Sequence, residues 1–170
     1  MHINKVRGDK MQLTARDIMV QDYYTLTPDD GVEKAVRLIF KGKVRSYGHK
    51  TVSIIVVDKT GQPTGIVSMF DILYHLRPAF LNYTPQTFNL EDEEIEAYIN
   101  QFKELTVEEI MSSPVHYVEP DVHLMTIIDI MVKDRCRRLP VVENSRLIGV
   151  VYLSEVYYHL CKTWFDLDID

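Results

Sequence analysis

The sequence predicts an α/β fold built from two β-α-β-β-α repeats packed through their sheets, with a linker helix inserted between them. Three observations carry this. Leu13-Thr14 followed by Ile18-Met19 returns as Leu105-Thr106 followed by Ile110-Met111, displaced by 92 positions (110 minus 18). Thr27-Pro28-Asp29 returns as Glu119-Pro120-Asp121 at the same displacement. Val56-Val57-Asp58 then matches Val141-Val142-Glu143 at 85 and Gly65 matches Gly149 at 84, so the first copy holds about eight extra residues, most of them before its central strand. One copy of about 60 residues would leave sheet and helix faces uncovered, which makes the pair the sounder folding unit.

The repeats run over 13–76 and 105–162, with a linker over 77–104. Each opens with a short helix (Thr14 to Met19, Thr106 to Met111) that leads to an extended segment (Tyr23 to Leu26, Val115 to Val118). The Pro-Asp turn then starts a helix, with Val32, Ala35, Val36 and Ile39 at helical spacing in one copy and Leu124, Ile127, Ile128 and Met131 in the other. Two β-branched strands follow in each copy, Val52 to Asp58 with Pro63 to Val67 and Arg138 to Glu143 with Arg146 to Val151. Lys59-Thr60-Gly61-Gln62 and Asn144-Ser145 are turn residues, so each pair reads as a hairpin. Helices from Met69 to Leu76 and from Ser154 to about Lys162 close the copies. In the linker, Arg77 to Asn89 contains Pro78 and Pro85 and reads as irregular, whereas Ile95, Tyr98, Ile99, Phe102 and Leu105 form a helical stripe. Glu91, Asp92, Glu93, Glu94 and Glu96 sit at that helix's start, where its dipole favours negative charge.

Composition narrows the function. A hydrophobic fraction of 46% over 170 residues suits a globular protein. No run reaches the roughly 18 apolar residues that span a bilayer, and the polar Met1 to Lys10 lacks the core of a signal peptide, so a cytoplasmic protein without a membrane partner is expected. Cys136 and Cys161 show no metal-type spacing and read as reduced thiols. A formal net charge of −6 argues against nucleic acid as a partner. Charge is unevenly spread: between Lys34 and Val57 stand Lys34, Arg37, Lys41, Lys43, Arg45 and Lys50 and not one carboxylate. That stretch reads either as a solvated face or as a basic site for an anion. The six histidines form no HExxH pattern, and no nucleophile elbow or Walker loop is present, so an enzyme is not expected.

The repeated Ile-Met, the Pro-Asp turn, the Val-Val-Asp/Glu strand end and the run Gly65-Ile66-Val67-Ser68-Met69-Phe70-Asp71 together resemble the cystathionine β-synthase (CBS) domain family, and two such domains in tandem resemble a Bateman module. The resemblance covers about two thirds of the chain. It implies a regulatory sensor that binds AMP, ADP or ATP, with S-adenosylmethionine ranked behind them, in a cleft between the two repeats. It also implies homodimers and a target protein that the sequence does not name. The stripes at Val32 to Ile39 and Leu124 to Met131 fit either a dimer face or the internal core.

Ser68 stands where a strand turns into a helix, near N–H groups that suit a phosphate, and Asp71 one turn on would accept from two vicinal ribose hydroxyls. Ser-x-x-Asp is equally a capping box, and both roles fit one helix start. By resemblance, the pocket of Asp71 and Ile66 is completed by the other copy's early strand, Ser112-Ser113-Pro114-Val115-His116. There Val115 would frame an adenine and His116 would either stack or stay on the surface. Cations for the phosphates would come from Arg137 or Arg138, which strand alternation keeps off one common side, and from His49 and Lys50. The loop from Lys41 to Lys50 either closes over phosphates or is a surface excursion. The second copy departs from the pattern, with Tyr152 for the expected Ser or Thr and Glu155 for Asp. A weaker second site would use Val20, Tyr23, Tyr24, Thr25 and Glu155. The competing function is a constitutive dimerisation or docking module that binds little or no ligand.

Overall fold

The structure, a computed structural model, describes residues 12–45, 48–82, 91–165 and 167. The polar N-terminal residues, Ser46-Tyr47 of the basic loop and the linker stretch around Pro85 lie outside the described residues. The elements run α1 (Ala15–Ile18), β1 (Thr25–Leu26), α2 (Val32–Lys41), β2 (Ser53–Val57), β3 (Pro63–Ser68), α3 (Met69–Leu76), a 3₁₀ turn (Ala79–Asn82), α4 (Asp92–Lys103), α5 (Val107–Ile110), α6 (Leu124–Lys133), β4 (Arg138–Glu143), β5 (Arg146–Tyr152) and α7 (Leu153–Trp164). The mixed α/β class is the one read from the sequence; the β-α-β-β-α order is complete in the first copy, whereas the second copy lacks the expected strand at Val115 to Val118.

The chain forms two compact units. One holds residues 24–59 and 64–115; the other holds the described residues up to Tyr23, residues 60–63 and the chain from His116 onward. Each unit therefore takes its opening segment from the other sequence repeat.

In the first unit the sheet order is β1-β2-β3, with β1 parallel to β2 and Leu26 opposite Val56. The opening segment is α5. Thr106 caps it with a box in which its backbone N–H and hydroxyl both donate to Glu109, at 2.7 and 2.9 Å. Those two bonds stabilise the carboxylate and hold Glu109 below the usual carboxylate range. Remaining N–H groups of this helix start are taken by carbonyls of the Pro-Asp turn: Val107 donates to Asp30 at 2.8 Å and Glu108 to Pro28 at 3.0 Å. Val107 and Ile110 then sit at 0% exposure in a core with Leu26, Val32, Ala35, Ile54, Val56 and Val67.

The second unit repeats the arrangement with α1. Thr14 and Asp17 form the capping box, Ala15 donates to Val122 and Arg16 to Pro120, both at 2.9 Å. Ala15 and Ile18 enter the core of Val118, Leu124, Ile127, Met131, Leu139, Val141 and Val151. Its sheet is the β4-β5 hairpin, and the counterpart of β1 shrinks to one parallel bridge from Val118 to Val141. Of the stripes that fitted either a dimer face or a core, Val32, Ala35 and Ile39 are buried in one unit and Leu124, Ile127 and Met131 in the other, while Val36 is exposed.

His159 on α7 is half-buried, and burial, helped by Lys162, lowers its pKa below 6.5, with Asp17 opposing. A histidine whose folded pKa is depressed gives stability that is complete above the unfolded value and lost as pH falls through the folded one. Melting temperature should therefore drop as pH falls from about 7.5 to 5.5. The drop should be smaller in His159→Gln; an equal drop in both proteins assigns the effect to other groups.

Candidate functional site

Ile66, on β3, exchanges two backbone hydrogen bonds with Ser112: Ile66 N–H donates to Ser112 C=O at 3.0 Å, and Ser112 N–H donates to Ile66 C=O at 2.9 Å. This bridge fixes the chain just after α5 against the end of β3. The approach is close because Gly65 has no side chain: a Cβ there would stand 2.5 Å from Met111 Sδ and 3.1 Å from Ser112 O. The repeated Gly and the repeated Ile-Met are thus one contact, with the methionine lying across the glycine.

The bridge brings the Ser112 hydroxyl to Asp71, donating to Oδ1 at 2.7 Å. Oδ2 of the same carboxylate accepts from the Ser68 backbone N–H at 2.7 Å and from the Ser68 hydroxyl at 2.5 Å. Ser68 Oγ in turn accepts from the Asp71 N–H at 3.3 Å, so Ser68 and Asp71 form a true capping box at the start of α3. Capping does not use up the site. Oδ1 faces the Ser112 hydroxyl, and a carboxylate oxygen that accepts from one hydroxyl can accept from another in its place. The sequence reading puts Ser112 in the segment that completes the Asp71 pocket but gives its hydroxyl no role, because its counterpart at a displacement of 92 is Val20, which has no hydroxyl.

The basic loop belongs to the same unit. Val44 pairs with Lys50, Arg45 N–H donates to His49 C=O at 2.8 Å, and Thr51 N–H donates to Lys43 C=O at 2.9 Å, which makes the segment a small hairpin. It runs directly into Val52, whose carbonyl accepts from the N–H of Met69 at 3.2 Å, at the first residue of α3. His49 and Lys50 are exposed on this hairpin, while Lys43 is held over the Tyr24 ring with Nζ 4.6 Å from its centroid. Val115 is half-buried.

His116, Arg137 and Arg138 fall in the other unit. His116 has an exposed side chain whose Nδ1 lies 2.6 Å from Asp134 Oδ2. Arg137 is exposed and precedes β4, and Arg138, the first residue of β4, is half-buried.

The second copy's counterpart is built differently. Val20 and Val150 exchange backbone hydrogen bonds at 2.9 and 3.0 Å, the same bridge as Ile66 and Ser112. Tyr152 stands at the N-cap of α7 without a side-chain cap bond, and it is only 7% exposed. Glu155 is 4% exposed, inside the unit rather than at an open helix start. Tyr23 donates its phenol to Leu147 C=O at 3.2 Å, and burial, together with neighbouring Tyr152, raises its pKa. Tyr24 and Thr25 belong to the first unit. Among the described residues, no group of three His, Cys, Asp or Glu is placed to hold a metal, and no helix is long and apolar enough to cross a membrane.

Two repeats joined by these paired leads define a tandem domain of one family. The CBS domain profile matches residues 15–78 and 107–162, and the chain belongs to the CBS domain family. It is 26% identical to the uncharacterised protein MK0525 of Methanopyrus kandleri across 82% of this chain and 59% of that protein, so it spans little more than half the length of that relative. In fold it resembles the CBS domain of a CBS domain-containing membrane protein from Sphaerobacter thermophilus, with a TM-score of 0.69 at 22% identity, covering 91% of this chain and 92% of that one. It also resembles CBSX2 in complex with AMP, with a TM-score of 0.64 at 22% identity, covering 88% and 96%.

Proposed function

We propose that the chain is a non-catalytic regulatory module that binds an adenosine-containing ligand, AMP, ADP or ATP ahead of S-adenosylmethionine, and passes the binding event to a partner protein. The observation that carries this reading is the Asp71 carboxylate at a helix start, with the Ser68 and Ser112 hydroxyls already on it. Ribose hydroxyls entering at Oδ1 would take the place of Ser112, and a phosphate would meet the N-terminus of α3 with His49 and Lys50 close in sequence to its first contact. The AMP bound by CBSX2, a protein of the same fold, supports that ligand class. Buried Tyr152 and Glu155 support a single stronger site rather than two equal ones.

The test is thermal stabilisation by AMP, ADP, ATP and S-adenosylmethionine, since a ligand bound only to the native state raises apparent stability, by about 2.7 kcal/mol at a hundredfold excess over Kd. Asp71→Ala removes a cap and lowers the melting temperature by itself, at a cost of about 1 kcal/mol. The quantity to compare is therefore the ligand-induced increment. A selective increment in the parent that disappears in Asp71→Ala and shrinks in Ser68→Ala is expected. If both variants keep the increment, the site is elsewhere. No increment with any of the four ligands would favour the docking-module reading, which the closed Ser68-Asp71-Ser112 cluster also suits.

A further inference from the structure

A groove of about 420 Å³ lies among α2, α3 and α4 of the first unit, lined by Val36, Ile72, Leu76, Ile99 and Phe102. Glu33, Arg37 and Lys103 complete its lining. We infer that this groove is a second ligand site, for a single-chain amphiphile with a carboxylate head group, of the medium-chain fatty acid class.

The lining decides the chemistry. Its walls are sides of three helices, and the surface they turn to the groove is almost wholly hydrocarbon. Its volume lies within the roughly 300–1,000 Å³ typical of small-molecule sites. The charged residues lining it are two cations and one anion. Arg37 is loosely paired with Glu33 at 3.9 Å, with both side chains open to solvent. Lys103, the last residue of α4, is then the principal cation for an anionic head, and Arg37 adds to it.

The second repeat serves as an internal comparison. At displacements of 92 and 84 the counterparts of Val36, Arg37 and Ile72 are Ile128, Asp129 and Val156. Val156 is 4% exposed and packs in its unit's core, where Trp164 also packs. Trp164 comes from the extra length of α7, which runs 12 residues against 8 for α3. Pro78 disfavours helical geometry at Arg77 and so ends α3 early. In the first unit the corresponding side chains are left facing the groove, and an arginine stands where the other copy has an aspartate.

The experiment uses the full chain, with dodecanoate, dodecanol and dodecyltrimethylammonium as probes below their micelle concentrations, read by calorimetry. Dodecanoate should bind one to one. Its affinity should fall at least about tenfold in Ile99→Trp, which fills the groove from a helix position 37% exposed, and should fall also in the milder Ile99→Gln. Lys103→Glu should weaken dodecanoate by about tenfold while leaving dodecanol within about twofold. Three results would overturn the inference: no dodecanoate binding to the parent, undiminished binding to both Ile99 variants with the parent's circular dichroism, or trimethylammonium binding as tight as carboxylate. Self-association abolished by Ile99→Trp would also overturn it, by placing a second copy of the chain in the groove.

Discussion

Ile110→Ala should cost about 2–5 kcal/mol of stability. Ile110 is fully buried, so truncation removes transfer free energy and leaves a cavity among Val32, Val56, Val67 and Val107. For a chain of this size the loss should appear as a fall of about 2–4 °C in melting temperature per kcal/mol. Its location is as informative as its magnitude. Although Ile110 belongs to the second sequence repeat, its side chain is packed in the unit that carries β2 and β3. Native-state hydrogen exchange should show the amides of Ile54 to Val56 losing more protection than those of Leu139 to Val141. The opposite order would mean that Ile110 supports the unit its sequence neighbours suggest.

Gly149→Ala should destabilise by about 1–3 kcal/mol through overpacking. A Cβ at 149 would stand 2.5 Å from Met19 Sδ, 2.8 Å from Cγ and 3.0 Å from Cβ. The sulfur can swing aside, but Met19 Cβ is tied to a backbone held by the Val20 to Val150 bridge. Replacing Met19 as well should return part of the loss. A double cycle of Gly149→Ala with Met19→Ala, measured by urea unfolding, should give a favourable coupling above about 0.5 kcal/mol. Additive costs would show that the glycine is required for another reason.

Much of this was legible in the sequence because it is local or periodic. Both long repeat helices, both hairpins and the linker helix follow from apolar spacing and turn residues, and Met69 to Leu76 forms the helix read from its pattern. The closing helix Leu153–Trp164 runs two residues past its expected end, because Trp164 gains packing against the core that its sequence neighbours do not announce. Periodicity also tells which face of an element is apolar without telling what covers it. The short helices α1 and α5 look like the openings of their own repeats, yet long-range pairs such as Leu13 with Leu124 and Leu105 with Val32 place them on the opposite copy. At the candidate site, the Ser68 and Asp71 pairing was readable from spacing, whereas the Ser112 hydroxyl depends on a bridge 46 residues from Ile66 (112 minus 66) and leaves no local sign.

The traded leads have a further consequence. A gene encoding one repeat alone would make a chain whose core lacks a plug, and the missing piece would exist only on another molecule of the same kind. Joining two repeats in one chain by a covalent tether converts that intermolecular encounter into an intramolecular one. The segment from Arg77 to Glu104 is that tether. Cutting it should therefore leave two fragments that need each other to fold, with stability that depends on their concentration, as in an obligate heterodimer.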